Sequence, residues 1–168
     1  NGDQWMGLVS NSKFENNHYS LIVTGARDGW HAVTPGSGDF LFVEDNHFVN
    51  NEHSIVGGEG ALYVFRYNLL EEAGGSWAVD MHGARPEYFD AYDYSTRFTE
   101  IYENTIYGGS NWDGSGWEIT CRGGEALIWG NDLKGTVSIQ LKIDATWHGD
   151  NYTSTAPEGW EVPPYPIP

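Results

Sequence analysis

The chain has 168 residues and a formal net charge of −16, with 8 Lys and Arg against 24 Asp and Glu. Its length fits a single domain, and its few cations exclude a surface that neutralises nucleic-acid phosphates or binds anionic membranes. No apolar run approaches the ~18 residues that a membrane-spanning helix needs, so we expect no membrane span.

A short unit recurs along the chain. It consists of an apolar residue, two variable residues, Asn, one variable residue and a second apolar residue. The Asn positions are Asn46, Asn68, Asn104 and Asn131, with Ser12 in the Asn place of an earlier, degraded copy. The gaps (46 to 68, 68 to 104, 104 to 131) are 22, 36 and 27 positions, so a core of about 22 residues with loop insertions accounts for all three.

A second recurrence supports the same period. The residues from Phe14 to Asn17 return as Phe48 to Asn51, 34 positions later. Three short strands and three turns fill a unit of this size, which predicts a solenoid of stacked coils. Asn tolerates left-handed backbone geometry and its amide both donates and accepts, so we expect the recurring Asn side chains to stack as a ladder at one corner.

These patterns resemble the right-handed parallel β-helix proteins of the pectate-lyase-like superfamily, which include secreted repeat proteins and phage tailspike bodies. The segments that carry the resemblance are Val64 to Asn68, Asp80 to Gly83, Glu100 to Asn104 and Arg122 to Gly124. The resemblance covers about residues 6 to 145 and implies an all-β, right-handed parallel β-helix of about five coils. We therefore divide the chain into a β-helix at 1–145 and an extended, Pro-rich tail at 146–168, which caps the last coil or docks on a neighbouring chain.

A third strand in each coil would form the sheet that most often carries function in this superfamily. The candidate segments are Ser20 to Gly25, Ser54 to Gly58, Ser76 to Gly83, Gly116 to Gly123 and Val137 to Ile143. Alternation points Trp77, Val79 and Met81 inward in one coil, and Trp117, Ile119 and Cys121 in the next. We interpret Cys121 as a buried structural thiol.

The opposite alternation gives the candidate site. Asp80, His82, Glu118 and Arg122 would share the outer face of adjacent coils, with Lys142 in the next coil. Carboxylates, an imidazole and cations within reach of one another suit general acid/base catalysis or the binding of an acidic sugar. The same residues also fit a solvated outer face whose charges pair with one another.

The resemblance also implies a polysaccharide lyase as one activity, with Arg122 or Lys142 as base and with Asp80 and Glu118 binding Ca²⁺. Two carboxylates are few for an ion that takes six to eight oxygen ligands. A glycoside hydrolase would instead need two carboxylates about 5 to 9.5 Å apart, which Asp80 and Glu118 could provide across adjacent coils. The spacing of the six His residues predicts no zinc site.

Two long insertions, at Ala26 to Asp39 and Ala84 to Arg97, would stand beside this outer face. They and a later loop contain the aromatic candidates for ligand binding, which are Trp30, Tyr88, Tyr92, Tyr94 and Trp112. Flat rings in loops stack on sugars or form a protein interface, and plain packing within the loops is the alternative.

The sequence thus predicts an extracellular β-helix surface or structural protein, such as a fibre, adhesin or tailspike-like segment. The extracellular location follows from the resemblance and from a chain that starts at Asn1, as a processed secreted product does. We expect a polysaccharide or surface glycan as partner, and assembly of identical chains through the solenoid ends and the tail. The alternative is a lyase or hydrolase, and of the two only a lyase would use Ca²⁺.

Overall fold

The computed structural model describes residues 6–25, 34–73, 77–83, 95–108, 117–135 and 137–141. Within these ranges the chain consists of strands and turns, and its strands pair only in parallel. The fold is an all-β, right-handed parallel β-helix of five coils, so the predicted fold class is confirmed. These ranges contain no helix long and apolar enough to cross a membrane. The predicted tail at 146–168 lies outside the described residues.

Each coil contains three short strands. Coil 1 has β1 (Gly7–Ser10), β2 (Lys13–Glu15) and β3 (Tyr19–Thr24). Coil 2 has β4 (Leu41–Glu44), β5 (His47–Val49) and β6 (His53–Gly58). Coil 3 has β7 (Leu62–Arg66), β8 (Leu69–Ala73) and β9 (Val79–Met81). Coil 4 has β10 (Phe98–Tyr102), β11 (Thr105–Gly108) and β12 (Trp117–Cys121), and coil 5 has β13 (Glu125–Trp129), β14 (Asp132–Lys134) and β15 (Ser138–Leu141).

The strands of successive coils form three five-stranded sheets. The first sheet has the order β1-β4-β7-β10-β13, the second β2-β5-β8-β11-β14 and the third β3-β6-β9-β12-β15. Each of the five segments predicted for the third sheet contributes one strand to it. The two end coils supply the outermost strand of every sheet, so each sheet has one edge at coil 1 and one at coil 5.

The core runs along the axis and is made of rows of inward side chains, one from each coil. Val79 and Ile119 are neighbours in such a row, and both are fully buried. Phe14 stacks on Phe48 with ring centroids 4.9 Å apart, which continues the packing into coil 1. Each fully buried side chain of this size contributes about 1.5 to 3 kcal/mol. The inward assignment of Val79, Met81 and Ile119 is confirmed.

The predicted Asn ladder occupies the corner between the first and second sheets. The backbone N and the side-chain Nδ2 of Asn46 both donate to Oδ1 of Asn68, at 3.0 and 3.1 Å. Asn68 donates in the same way to Asn104, and Asn104 to Asn131. The backbone N of Ser12 donates to Asn46 Oδ1 at 3.1 Å, so the ladder reaches from coil 1 to coil 5. The ladder prediction is confirmed.

At this corner the residue with the left-handed backbone conformation is the one before each ladder position. We expected the ladder Asn itself to have this conformation. These residues are Asn11, Asp45, Tyr67, Glu103 and Gly130, with φ between 52° and 63°. A left-handed conformation costs an L-residue roughly 1 to 2 kcal/mol. The chain turns at this residue, and the turn directs the next side chain into the corner, where its amide bonds to the adjacent coils.

A second, shorter ladder joins coils 1 and 2 at the corner between the second and third sheets. The backbone N and Nδ2 of Asn17 donate to Oδ1 of Asn51 at 2.9 and 3.1 Å. Asn16 and Asn50, which precede them, have φ of 59° and 49°. The repeated Phe-x-Asn-Asn sequence was the signal for this ladder, since it contains both the left-handed residue and the bonding residue.

We expect Asn68→Ala to lower the free energy of unfolding by about 3 kcal/mol. The change leaves the backbone N of Asn46 without its acceptor and removes the bond from Asn68 Nδ2 to the carbonyl oxygen of Val43, and each buried unsatisfied group costs about 1 to 3 kcal/mol. Asn131→Ala is the matched control, because coil 5 is more exposed and water can replace the lost bonds; we expect about 1 kcal/mol. Urea unfolding measures both, and equal losses would contradict the buried ladder as the main support of the stack.

Candidate functional site

The outer face of the third sheet is covered where the sequence predicted an exposed site. Register places Asp80 between Val56 and Thr120 in one outer row. Asp80 and Thr120 have no exposed surface, and Arg122 is only 3% exposed. Because Val79 and Met81 are buried in the core as well, β9 has protein on both of its faces. The polar face is therefore an internal interface in this region and is not solvated.

Asp80 and Arg122 bind each other at the centre of this interface. Nε of Arg122 donates to Oδ1 of Asp80 at 2.9 Å, and Nη2 donates to Oδ2 in a second, short contact. This is the bidentate geometry that the planar guanidinium favours with a carboxylate. The sequence brought the two residues together correctly, on adjacent coils of one sheet. Their burial and mutual neutralisation came only from the structure.

The other two catalytic candidates are His82 and Glu118. His82 is half-buried, and its Nδ1 lies 2.6 Å from the carbonyl oxygen of Gly83. Glu118 lies in β12, where the backbone is described and the side chain is not. A further six candidates lie outside the described residues, and their binding roles stay predictions: Trp30, Tyr88, Tyr92, Tyr94, Trp112 and Lys142.

Calcium does not fit the described part of the predicted site. Both carboxylate oxygens of Asp80 are bonded to Arg122, so neither lies in an open coordination position. Across the described ranges, no group of three or more His, Cys, Asp and Glu side chains could hold a metal ion. Since Ca²⁺ takes six to eight oxygens, a calcium-dependent reaction gains no support from these residues.

A column of rings extends from the protein surface to the ion pair. Tyr19, which is 47% exposed, stacks on buried His53 with centroids 4.6 Å apart. His53 lies beside Trp77 at 5.7 Å, and the Trp77 ring lies 4.8 Å from Cζ of Arg122. Cation–π contacts of this kind contribute about 0.5 to 2 kcal/mol. The column spans coils 1 to 4 and connects an exposed ring to a buried charge.

Trp77 is not in the inner row that alternation predicted for it. The backbone N atoms of Ser54 and Ile55 both donate to the carbonyl oxygen of Ala78, at 2.8 and 3.0 Å. Ala78 and Val79 then both pack in the core, which breaks the alternation just before β9. The irregularity places the Trp77 ring beside Arg122, whose guanidinium pairs with Asp80 of the outer row.

Tyr19 and His53 were not among the site residues that the sequence predicted. A signal was present, because Tyr19 follows Asn17 by two positions just as His53 follows Asn51. Residues that follow a ladder Asn by the same number of positions are neighbours on adjacent coils. This spacing therefore predicts that the rings of Tyr19 and His53 are in contact. Beside them His18 bonds to Glu52, also across the two coils.

His53 is held neutral. The pKa of His53 is lowered to about 4: burial is the largest cause, the charges of Arg122 and His18 also lower it, and Glu52 and a backbone hydrogen bond at Trp77 oppose the shift. Cys121 packs against the core, and burial raises the pKa of its thiol to about 11. A thiol protonated at neutral pH agrees with the structural role expected for Cys121.

Charged side chains on the outer face of the first sheet also pair with side chains of the same face. Nε of Arg66 donates to Glu44 at 2.5 Å, and Nη1 donates to the Tyr102 hydroxyl at 2.7 Å. Tyr102 stacks on Trp129, with centroids 4.1 Å apart and planes at 11°. A small apolar cluster of Phe40, Val64 and Phe98 lies beside them on this face. These groups bind their neighbours in adjacent coils and stabilise the stack.

Coil 5 exposes side chains that the other coils bury. Ile139 and Leu141 continue the inner rows of Ile119 and Cys121, yet they are 44% and 78% exposed. Leu133 continues the row of the buried Ile106 and is 38% exposed. Within the described residues no strand lies beyond β13, β14 or β15. The end of the core is thus an apolar surface bordered by three strands with open edges.

Neither a protein-family model, nor a curated protein, nor a solved structure matches the chain. The class to which it belongs, the right-handed parallel β-helix, is defined by its strand pairing alone.

We expect Arg122→Ala to lower the free energy of unfolding by about 3 to 5 kcal/mol, because it leaves the Asp80 carboxylate buried without its counter-ion. The double variant Asp80→Ala, Arg122→Ala removes both charges and should lose less than the sum of the two single losses. Denaturant unfolding of the three variants gives the coupling energy. Additive losses would show that the two groups do not depend on each other.

The titration of His53 predicts a pH-dependent stability. Its pKa is about 4 in the folded chain and 6.5 in the unfolded chain, so only the unfolded chain binds the proton between these values. Stability should therefore be complete above pH 6.5 and decrease as the pH falls towards 4, by about 3 kcal/mol at most. His53→Gln should remove this part of the dependence. The difference between wild-type and His53→Gln urea midpoints from pH 7 to 5 measures it, and a constant difference would contradict the neutral, buried imidazole.

Proposed function

We propose that the chain is a module of an extracellular surface or structural protein, such as a fibre, adhesin or tailspike-like segment of the pectate-lyase-like superfamily. Its function is to bind neighbouring subunits through the exposed surfaces of its end coils. The observation that carries the proposal is the exposed end of the core, where Leu141 continues an inner row and is 78% exposed. Apolar surface that continues a core favours burial against another chain.

The open strand edges favour the same kind of partner. Strands β13, β14 and β15 have neighbours in coil 4 and none on their other side among the described residues. Unpaired N–H and C=O groups at such an edge pair readily with the strands of another chain. A β-solenoid partner would complete all three sheets at once.

Polysaccharide or surface glycan is the second partner of this proposal. Its support is the acidic, aromatic-rich composition and the loop aromatics that the sequence assigned to binding. The enzymatic alternative, a lyase or hydrolase at Asp80, His82, Glu118 and Arg122, has less support. A carboxylate and a guanidinium that are buried and bonded to each other are poorly placed to exchange protons with a substrate.

Sedimentation velocity over a concentration series tests the contact. We expect the wild-type chain to associate at about 0.15 M salt, where the repulsion due to its net charge of −16 is screened. Leu141→Lys should weaken association about tenfold, since it places a charge at the end of the core. Tyr67→Lys is the matched control: Tyr67 is 49% exposed at the corner of coil 3, away from both ends, and the substitution changes the net charge by the same amount. A wild-type chain that stays monomeric throughout contradicts the proposal.

A further inference from the structure

We infer that the subunit joined by coil 5 is a second copy of this chain, which adds its coil 1 head to tail in the register of the existing coils. The inference rests on the proposed function and names its partner. It depends on the ends of the ladder, on the charges of the two end strands of the second sheet, and on the inner rows at both ends.

The ladder is directional. In coils 1 to 4 the backbone N of the ladder residue donates to the Asn Oδ1 of the following coil. The side-chain Nδ2 of Asn46, Asn68 and Asn104 donates to the same oxygen. Coil 5 therefore presents the donor side of Asn131, and coil 1 presents the acceptor side of Ser12. A head-to-tail copy brings the Ser12 hydroxyl oxygen to the place where the next acceptor belongs. Two chains that met through their coil 5 ends would bring donors against donors.

The charges of the second sheet match across such a junction. Register places Lys13 and Asp132 in one outer row, and Glu15 and Lys134 lie at equivalent places two residues later. If β2 of a second copy follows β14, Asp132 faces Lys13 and Lys134 faces Glu15. Opposite charges directly across neighbouring strands attract, whereas like charges there repel.

All four charges are available for this contact. Their side chains are between 47% and 56% exposed, and they are paired within their own strands, Lys13 with Glu15 at 3.0 Å and Lys134 with Asp132 at 2.7 Å. A junction would join the two pairs into a square of alternating signs. Each charge keeps its present partner and gains a second one.

The apolar rows also continue through the junction. Counting along the registered rows, Ile139 of one copy meets the partly buried Leu21 of the next. On the second sheet Leu133 meets Phe14. Every one of these contacts is apolar with apolar, as it is between the coils inside the chain. Because each copy adds head to tail along the axis of the same stack, the contact does not close into a ring and generates a linear series of oligomers.

Two charge swaps test the register. The head swap is Lys13→Glu with Glu15→Lys, and the tail swap is Asp132→Lys with Lys134→Glu. Each swap keeps the ion pair within its own strand and leaves the net charge at −16, so the overall repulsion is unchanged. Either swap alone places like charges opposite each other at the junction. It should therefore raise the dissociation constant about tenfold. The chain with both swaps restores opposite charges and should associate like wild type.

Sedimentation of the four proteins, with thermal unfolding to confirm that each is folded, separates the outcomes. A wild-type series of dimers, trimers and larger species, weakened by each swap and restored by both, supports the inference. Association that stops at a dimer and ignores both swaps means contact between two coil 5 ends; it overturns the inference and leaves the proposed contact function intact. Single swaps that weaken association without restoration by the double swap overturn the register. A monomeric wild-type chain overturns the contact function itself.

Discussion

The bond from the backbone N of one corner residue to the Asn Oδ1 of the next coil is the constraint on which this structure depends. It repeats from Ser12 to Asn131 and fixes each coil on its neighbour at one point of the perimeter. With that point fixed, the strands on either side pair without slipping, and every inward side chain meets its equivalent in the next coil. A left-handed residue before each ladder position is the conformational cost, which the buried amide bonds offset.

This stacking also explains why the polar residues of the third sheet do not form an open site. Equivalent positions lie about 4.8 Å apart in neighbouring coils, so charges in or next to one row must interact. Asp80 and Arg122 do so in a buried bidentate pair, and the rings of His53 and Trp77 pack against it. Burial makes such a pair sensitive to the loss of either member, because an isolated charge in the interior is strongly unfavourable. In the described residues this cluster joins coils to one another.

A stack held by repeated, directional contacts has two different ends. At each end of the described coils, the rows of the core and the ladder stop without a change in their chemistry, because the last described coil repeats the pattern of those before it. Ile139 and Leu133 are therefore exposed, although Ile119 and Ile106 at the equivalent positions of coil 4 are buried. In the function that we propose, another subunit is added through the same kinds of interaction that hold the five coils together.

The sequence by itself determined the repeat, the three parallel sheets, the ladder and the inner rows of Val79, Met81 and Ile119. These features depend on the local spacing of Asn and apolar residues, because the same spacing recurs in adjacent coils and places equivalent residues in register. It also predicted that Asp80 and Arg122 meet. Only the tertiary structure decided that the pair is buried, that Trp77 leaves the inner row beside Ala78, and that the left-handed residue precedes the ladder Asn. Burial depends on which other residues cover a strand. A bulge depends on how two coils of unequal length fit together. The periodicity of a single strand predicts neither of them.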